Sequence, residues 1–154
     1  MPASTWLVGQ AAYVARFGHG EWTDLTDTDG SGQPDGDMVA AAVADTTADV
    51  SRYLRQAGYG ALVGQAEGVP EDLRRRALDI LRYLLHRNRP SDEVRERYRD
   101  AVAWFDALVA GDVVLYGADG QPLPRRVDEP NRAHRAVGNT RRMVYGADFL
   151  RRYG

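Results

Sequence analysis

Apolar residues recur at spacings of three and four over three long stretches of the chain. In the first, Val39, Val43, Val50, Tyr53 and Leu54, with Thr46 in register, fall on one helical face. The turn-rich run DTDGSGQPDGD precedes it, so Asp35 or Asp37 can cap this helix and Met38 enters it. Gly58, Gly60, Gly64 and Gly68 then break the pattern as far as Pro70, whose fixed φ suits a helical first turn, with Glu71 and Asp72 near the positive end. The second helix carries Leu73, Ala77, Leu78, Ile80, Leu81, Leu84 and Leu85, an apolar arc wide enough to place it at the centre of a bundle. Pro90 ends it and Ser91 caps the third, where Val94, Tyr98, Ala101, Val102, Phe105, Leu108 and Val109 keep helical spacing until Gly111 supplies a stop.

Nearer the start, residues 13–17 and 21–25 read as two short helical pieces divided by Gly18 and Gly20. Beyond residue 111 the periodicity lapses. The run GADGQPLPRRVDEPNRAHRAVGNTRR is rich in turn formers, prolines and arginines, which predicts an extended arm without a core of its own; the closing MVYGADFLRRYG regains aromatic and aliphatic character. The expected fold is all-α. A small bundle of three main helices plus short N-terminal helices covers residues 1–111, and an extended C-terminal arm covers 112–154.

Composition narrows the chemistry. With 154 residues and 44% hydrophobic content the chain fills one core. All 20 basic residues are arginine, which excludes a P-loop lysine, a Schiff-base lysine and a lysine general base. The absence of cysteine removes disulfides, thiolate metal sites and cysteine nucleophiles. No stretch reaches the roughly 18 apolar residues of a membrane span, and MPASTWLVGQ lacks the basic start of a signal peptide, so a soluble intracellular product without a membrane partner is expected. Charge is unevenly placed: residues 1–50 hold eight acids against Arg16 alone, net −7, and the remainder holds 14 acids against 19 arginines, net +5. Such asymmetry fits either a nucleic-acid binder or a protein whose opposite faces meet in an assembly.

Individual motifs yield no active site. Residues 27–38 resemble a calcium loop through Asp27, Asp29, Ser31, Gly32 and Asp35, but Met38 stands where the bidentate glutamate belongs and Pro34 where a branched apolar residue belongs. An Asp/Gly-rich turn whose carboxylates satisfy backbone amides is the favoured reading. His19, His86 and His134 share no metal-ligand spacing, no serine lies in a G-x-S-x-G elbow, and the glycines of GYGALVG have the wrong spacing for a dinucleotide fingerprint. Glu93 and Glu96 lie beside Arg95, Arg97 and Arg99, a pattern suited to ion pairs along a helix. No catalytic residue, metal or cofactor is expected.

The arginines carry three readings. Arg75, Arg82 and Arg89 are seven apart, with Asp79 and His86 in the same stripe. The stripe would neutralise phosphates in a DNA-binding packaging accessory or regulator, yet Asp79 interrupts it and no aromatics interleave for base stacking. It would equally serve as a plain solvated face. In a head-to-tail ring it would meet the acidic first third of an identical neighbour, where Asp45 and Asp49 stand.

Several stretches together resemble a family of small proteins encoded in the head-tail gene region of Mu-like phages and prophages: YVARFG, EWTDLTDTDG, MVAAAVADTTADVSRYL, and the long run from Val69 to Leu115 with RYLLHRNRP followed by EVRERYRDAVAWF. The closing MVYGADFLRRYG is similar to that family's aromatic, arginine-containing end, whereas the glycine-rich loop from Arg55 to Gly68 departs from its pattern. The resemblance implies a head-completion or head-tail connector protein of helical, adaptor-like architecture. It implies a closed ring, twelve-fold to match a portal, in the virion neck, assembled in the bacterial host cytoplasm. DNA would pass through the lumen without sequence-specific binding, with the portal on one side and a tail-proximal stopper or terminator protein on the other. In the arm, Tyr145, Phe149, Leu150 and Tyr153 are the expected portal anchors, with Arg151 and Arg152 as charged partners.

Overall fold

The structure, a computed structural model, describes residues 6–87 and 89–126. Five helices follow one another: α1 Gln10–Phe17, α2 His19–Thr26, α3 Gly36–Ala57, α4 Glu71–Leu85 and α5 Asp92–Ala110, with one 3-10 turn at Gly60–Leu62. The only β pairing among the described residues is an isolated bridge between Tyr116 and Pro122. The fold is an all-α small bundle.

The helix boundaries follow from local chemistry. Asp35 caps α3 by accepting from the Met38 amide at 3.1 Å, and Ser91 caps α5 by accepting from Val94 at 3.3 Å. Gly58 and Gly111, both left-handed, close α3 and α5. Helix α4 stops at Leu85, before Pro90, and the turn that follows places Arg87 at φ 50. Gly18 alone separates the first two helices, while Gly20 lies within α2.

Helix α4 packs against α3 and α5, which also pack against each other. Leu73, Ala77, Leu78, Ile80, Leu81 and Leu85 of α4 are buried, and so are Val43, Val50 and Leu54 of α3 and Ala101, Phe105 and Leu108 of α5. This is the expected central placement of the second long helix. Each fully buried Leu, Val or Phe contributes about 1.5–3 kcal/mol of apolar transfer free energy, so these seams dominate the body's stability.

Two regions differ from the sequence expectation. Trp6, Leu7 and Val8 join the core ahead of α1, although three consecutive apolar residues carry no helical period. The larger correction concerns the arm. A coreless segment starting at residue 112 does not hold over 112–126, which turns back as a hairpin onto the bundle. Leu115 is buried in the common core and its N–H donates to the Tyr59 hydroxyl at 3.3 Å. The Arg125 guanidinium donates to the carbonyls of Ala57 and Val109, and the Arg126 amide donates to the Gly58 carbonyl at 2.8 Å. One inward leucine in an extended stretch is too sparse a signal to separate from an exposed linker. The expected anchors Tyr145, Phe149, Leu150, Arg151, Arg152 and Tyr153 lie outside the described residues.

Candidate functional site

Converging charged and polar side chains gather where α1 and α2 meet α4. Glu21 of α2 is the centre. Arg82 of α4 grips its carboxylate with two hydrogen bonds, Nε to Oε1 at 2.7 Å and Nη2 to Oε2 at 2.8 Å, and the Tyr13 hydroxyl donates to Oε1 at 2.7 Å. His86 Nε2 lies 3.7 Å from the same oxygen, and Arg82 Nη1 lies 3.6 Å from Glu93 of α5, which also accepts from Arg97 at 3.1 Å. One turn away, Arg16 donates to the buried Asp79 at 3.4 Å. Phe17 sits between the two cations, 4.6 Å from the Arg82 guanidinium and 5.2 Å from that of Arg16. Both distances suit a cation over an aromatic face.

Protonation follows from these partners. Burial pulls the Glu21 carboxyl up, but the hydrogen bonds from Arg82 and Tyr13 and the charges of Arg82 and His86 outweigh it, and Glu21 rests below the usual carboxylate range. The Glu21 bond raises Arg82 further, against the pull of burial. Tyr13 is pushed far up by burial, then by its bond to the Glu21 carboxylate. Asp79 goes the other way: burial holds its carboxyl above the ordinary value despite the nearby Arg16, Arg97 and Arg76. A carboxylate that already accepts three hydrogen bonds has little capacity left to take a proton from a substrate. The geometry is suited to locking helices together.

The expected site residues separate in space. Arg75 is exposed and pairs with Asp72 one turn away at 3.1 Å, and Arg89 is exposed beyond the end of α4. Arg82 instead has 13% of its side chain accessible and faces its own chain. The picture of one open arginine stripe therefore holds for its two ends and fails in its middle. Asp45 and Asp49 are exposed on α3, with Asp49 3.6 Å from Arg52. Beside Asp49, half-buried Tyr98 stacks on Tyr83 at 4.0 Å, and Tyr53 stacks on Phe105 at 5.1 Å. Burial, then Tyr83, Asp49 and Tyr53, raise the Tyr98 phenol.

In the Asp/Gly-rich turn, Asp27 accepts from the amides of Ser31 at 3.0 Å and Gly32 at 2.9 Å, and Asp29 accepts from Ser31 at 3.0 Å. These bonds, led by those from Ser31, hold Asp29 below its usual value. Among the described residues no group of three or more His, Asp or Glu side chains is placed to hold a metal ion. Two open clefts, about 290 Å³ beside His19, Trp22 and Asp27 and about 340 Å³ between residues 6–12 and Arg74, bring no nucleophile and base together. No helix of the described chain is long and apolar enough to cross a membrane.

Sequence reasoning missed Glu21, Tyr13, Arg16 and Asp79 as a unit. The one visible signal was Asp79, an acid set among arginines on the most apolar helix. Comparison with known proteins gives a match to the family model described as Bacteriophage Mu, Gp36, over residues 9–133. None of the curated proteins matches the chain.

Proposed function

The chain belongs to the bacteriophage Mu Gp36 family and is a Mu-like phage protein, and from that premise we propose that it is a structural subunit of the head-tail connector. Copies of it form a closed adaptor ring, twelve-fold to match a portal, in the neck of the virion. DNA passes through the lumen without sequence-specific contact, and a stopper or terminator protein sits on the tail side. The subunit catalyses nothing.

The observation that carries this reading is the family match, which spans all five helices and the hairpin. Charge supports it: a cyclic ring needs two different, complementary patches per subunit, and the acidic outer face at Asp45 and Asp49 with exposed arginines such as Arg75 and Arg89 provides them. The network around Glu21 fits a rigid body whose buried charges are spent on its own fold. Arg82's engagement with Glu21 and Glu93 takes the middle guanidinium out of a phosphate-binding stripe, which weighs against DNA binding through that face.

Cryo-electron microscopy of the neck of assembled particles tests the proposal. The expected density is a ring of this fold beneath the portal. Absence of the chain from purified virions by mass spectrometry, or its presence only at the tail tip or capsid shell, overturns it. Addition of purified portal to the full chain should also convert it into a ring, because adaptor subunits commonly assemble only on their partner.

A further inference from the structure

The hairpin at residues 112–126 treats its two edges differently. Leu115 turns its carbonyl toward the returning segment, where the Leu123 amide donates to it at 2.8 Å, and its own N–H toward the Tyr59 hydroxyl. Main-chain groups alternate in direction along extended chain, so those of Val114 and Tyr116 face the opposite edge. Among the described residues they have no hydrogen-bond partner there. On the returning segment, the residues flanking Leu123 are Pro122 and Pro124, which have no N–H to offer at their outer edge. One edge is closed to strand addition. The other is open, without proline, charge or bulge to guard it. That open edge also carries the exposed large apolar side chains of the described chain, Val114 at 42% and Tyr116 at 55%, two residues apart and so on one side.

We propose that this edge docks a second copy of the chain, which adds its own 114–116 edge antiparallel about a two-fold axis at Leu115. In that register Val114 of one copy faces Tyr116 of the other, twice, and each pair exchanges both N–H···O bonds. An aromatic opposite a β-branched residue is a favourable cross-strand pair. Asp112 falls opposite Ala118 and Val113 opposite Gly117, so no like charges meet. Three residues per copy bury far less than the roughly 800 Å² per partner of a stable complex. The contact is therefore weak alone and gains from high local concentration. It is isologous, unlike the heterologous seams of a ring, and does not rest on the connector reading.

The chain has no cysteine, so the register can be read with Val114→Cys and Tyr116→Cys as separate full-length variants. In an equal mixture under oxidising conditions, residues 114 and 116 of the two copies have Cα atoms about 5.5 Å apart, within disulfide reach, while two copies of one variant lie beyond about 7 Å. The mixture should give about fivefold more covalent dimer on non-reducing gels than either variant alone. Sedimentation velocity of the unmodified chain should show concentration-dependent dimer, with association weakened about tenfold by Tyr116→Lys at unchanged helical circular dichroism. Equal cross-linking in all three samples, a monomer at every concentration, or association indifferent to Tyr116→Lys overturns the proposal. The last result would assign self-association to another surface, the ring seam included.

Discussion

The seams among α3, α4 and α5 and the seam that holds α1–α2 onto α4 are built from different forces. The first are leucine, valine, alanine and phenylalanine in close packing, and their ion pairs, such as Arg75–Asp72 and Arg95–Asp92, stay outside within one helix. The second adds Tyr13, Trp22 and the Trp6–Val8 segment to a directional set of charged hydrogen bonds through Glu21, Arg82, Arg16 and Asp79. Apolar packing is tolerant of small displacements, whereas a two-pronged guanidinium grip fixes angle and register. The bundle supplies most of the stability, and the polar seam supplies orientation for the N-terminal pair of helices.

Removing Phe105 should break the comparison most severely. Phe105→Ala empties a fully buried site against Tyr53 and Trp104 and should cost about 4 kcal/mol, with helical content and tryptophan fluorescence lost in one transition. Two separated transitions would show that the N-terminal helices stand apart from the bundle.

Breaking the grip should matter about half as much. Glu21→Gln or Arg82→Ala should each cost about 2 kcal/mol, less than a fully buried pair because Glu21 keeps 25% of its side chain accessible. The double variant should cost less than the sum by about 1 kcal/mol or more, read by denaturant titration. Amide exchange should quicken in α1 and α2 well before α5. Equal acceleration everywhere would mean that the polar seam is as integral as the apolar ones.

Acid sharpens the contrast inside the seam itself. The folded-state pKa of Glu21 lies below its unfolded value, so its contribution is complete above that unfolded value, about pH 4.3, and is lost as pH falls through the folded one. Asp79 has the opposite sign. Its raised folded pKa makes its burial penalty fully present above that pKa and relieved as pH falls toward the unfolded value. Glu21→Gln should therefore flatten the acid limb of stability against pH, and Asp79→Asn should steepen it, both by thermal melts at low pH. The smallest effect belongs to Arg75→Ala, expected to change stability by less than about 0.5 kcal/mol because its pair with Asp72 is solvated. A loss above about 1 kcal/mol in the isolated chain would contradict the separation of inner from outer charge.

What was legible in the sequence tracks this division. Periodicity found α3, α4 and α5, the caps at Asp35, Ser91 and Gly111, and the central place of α4, because burial of a helical face repeats along the chain. Pairings across 61 or 63 positions, as in Arg82–Glu21 and Arg16–Asp79, leave no periodic trace, since either partner alone looks like a surface charge. The hairpin escaped for a related reason. Its hold on the body is one leucine, one guanidinium and main-chain bonds to Ala57 and Gly58, and main-chain bonds are indifferent to side-chain identity. The Asp/Gly-rich turn was legible because its carboxylates bond amides only a few residues away.

The attachment of Arg125 and Arg126 beside the last turn of α3 has a mechanical consequence. Any force applied to the chain beyond residue 126 enters the body at the carbonyls of Ala57 and Gly58, the trailing end of its longest helix. A pull directed along that helix loads these bonds together, in shear, whereas a sideways pull would unzip them one after another. The strength of the joint is thus set by the direction of tension, and the bundle behaves as an anchor with a preferred line of haul.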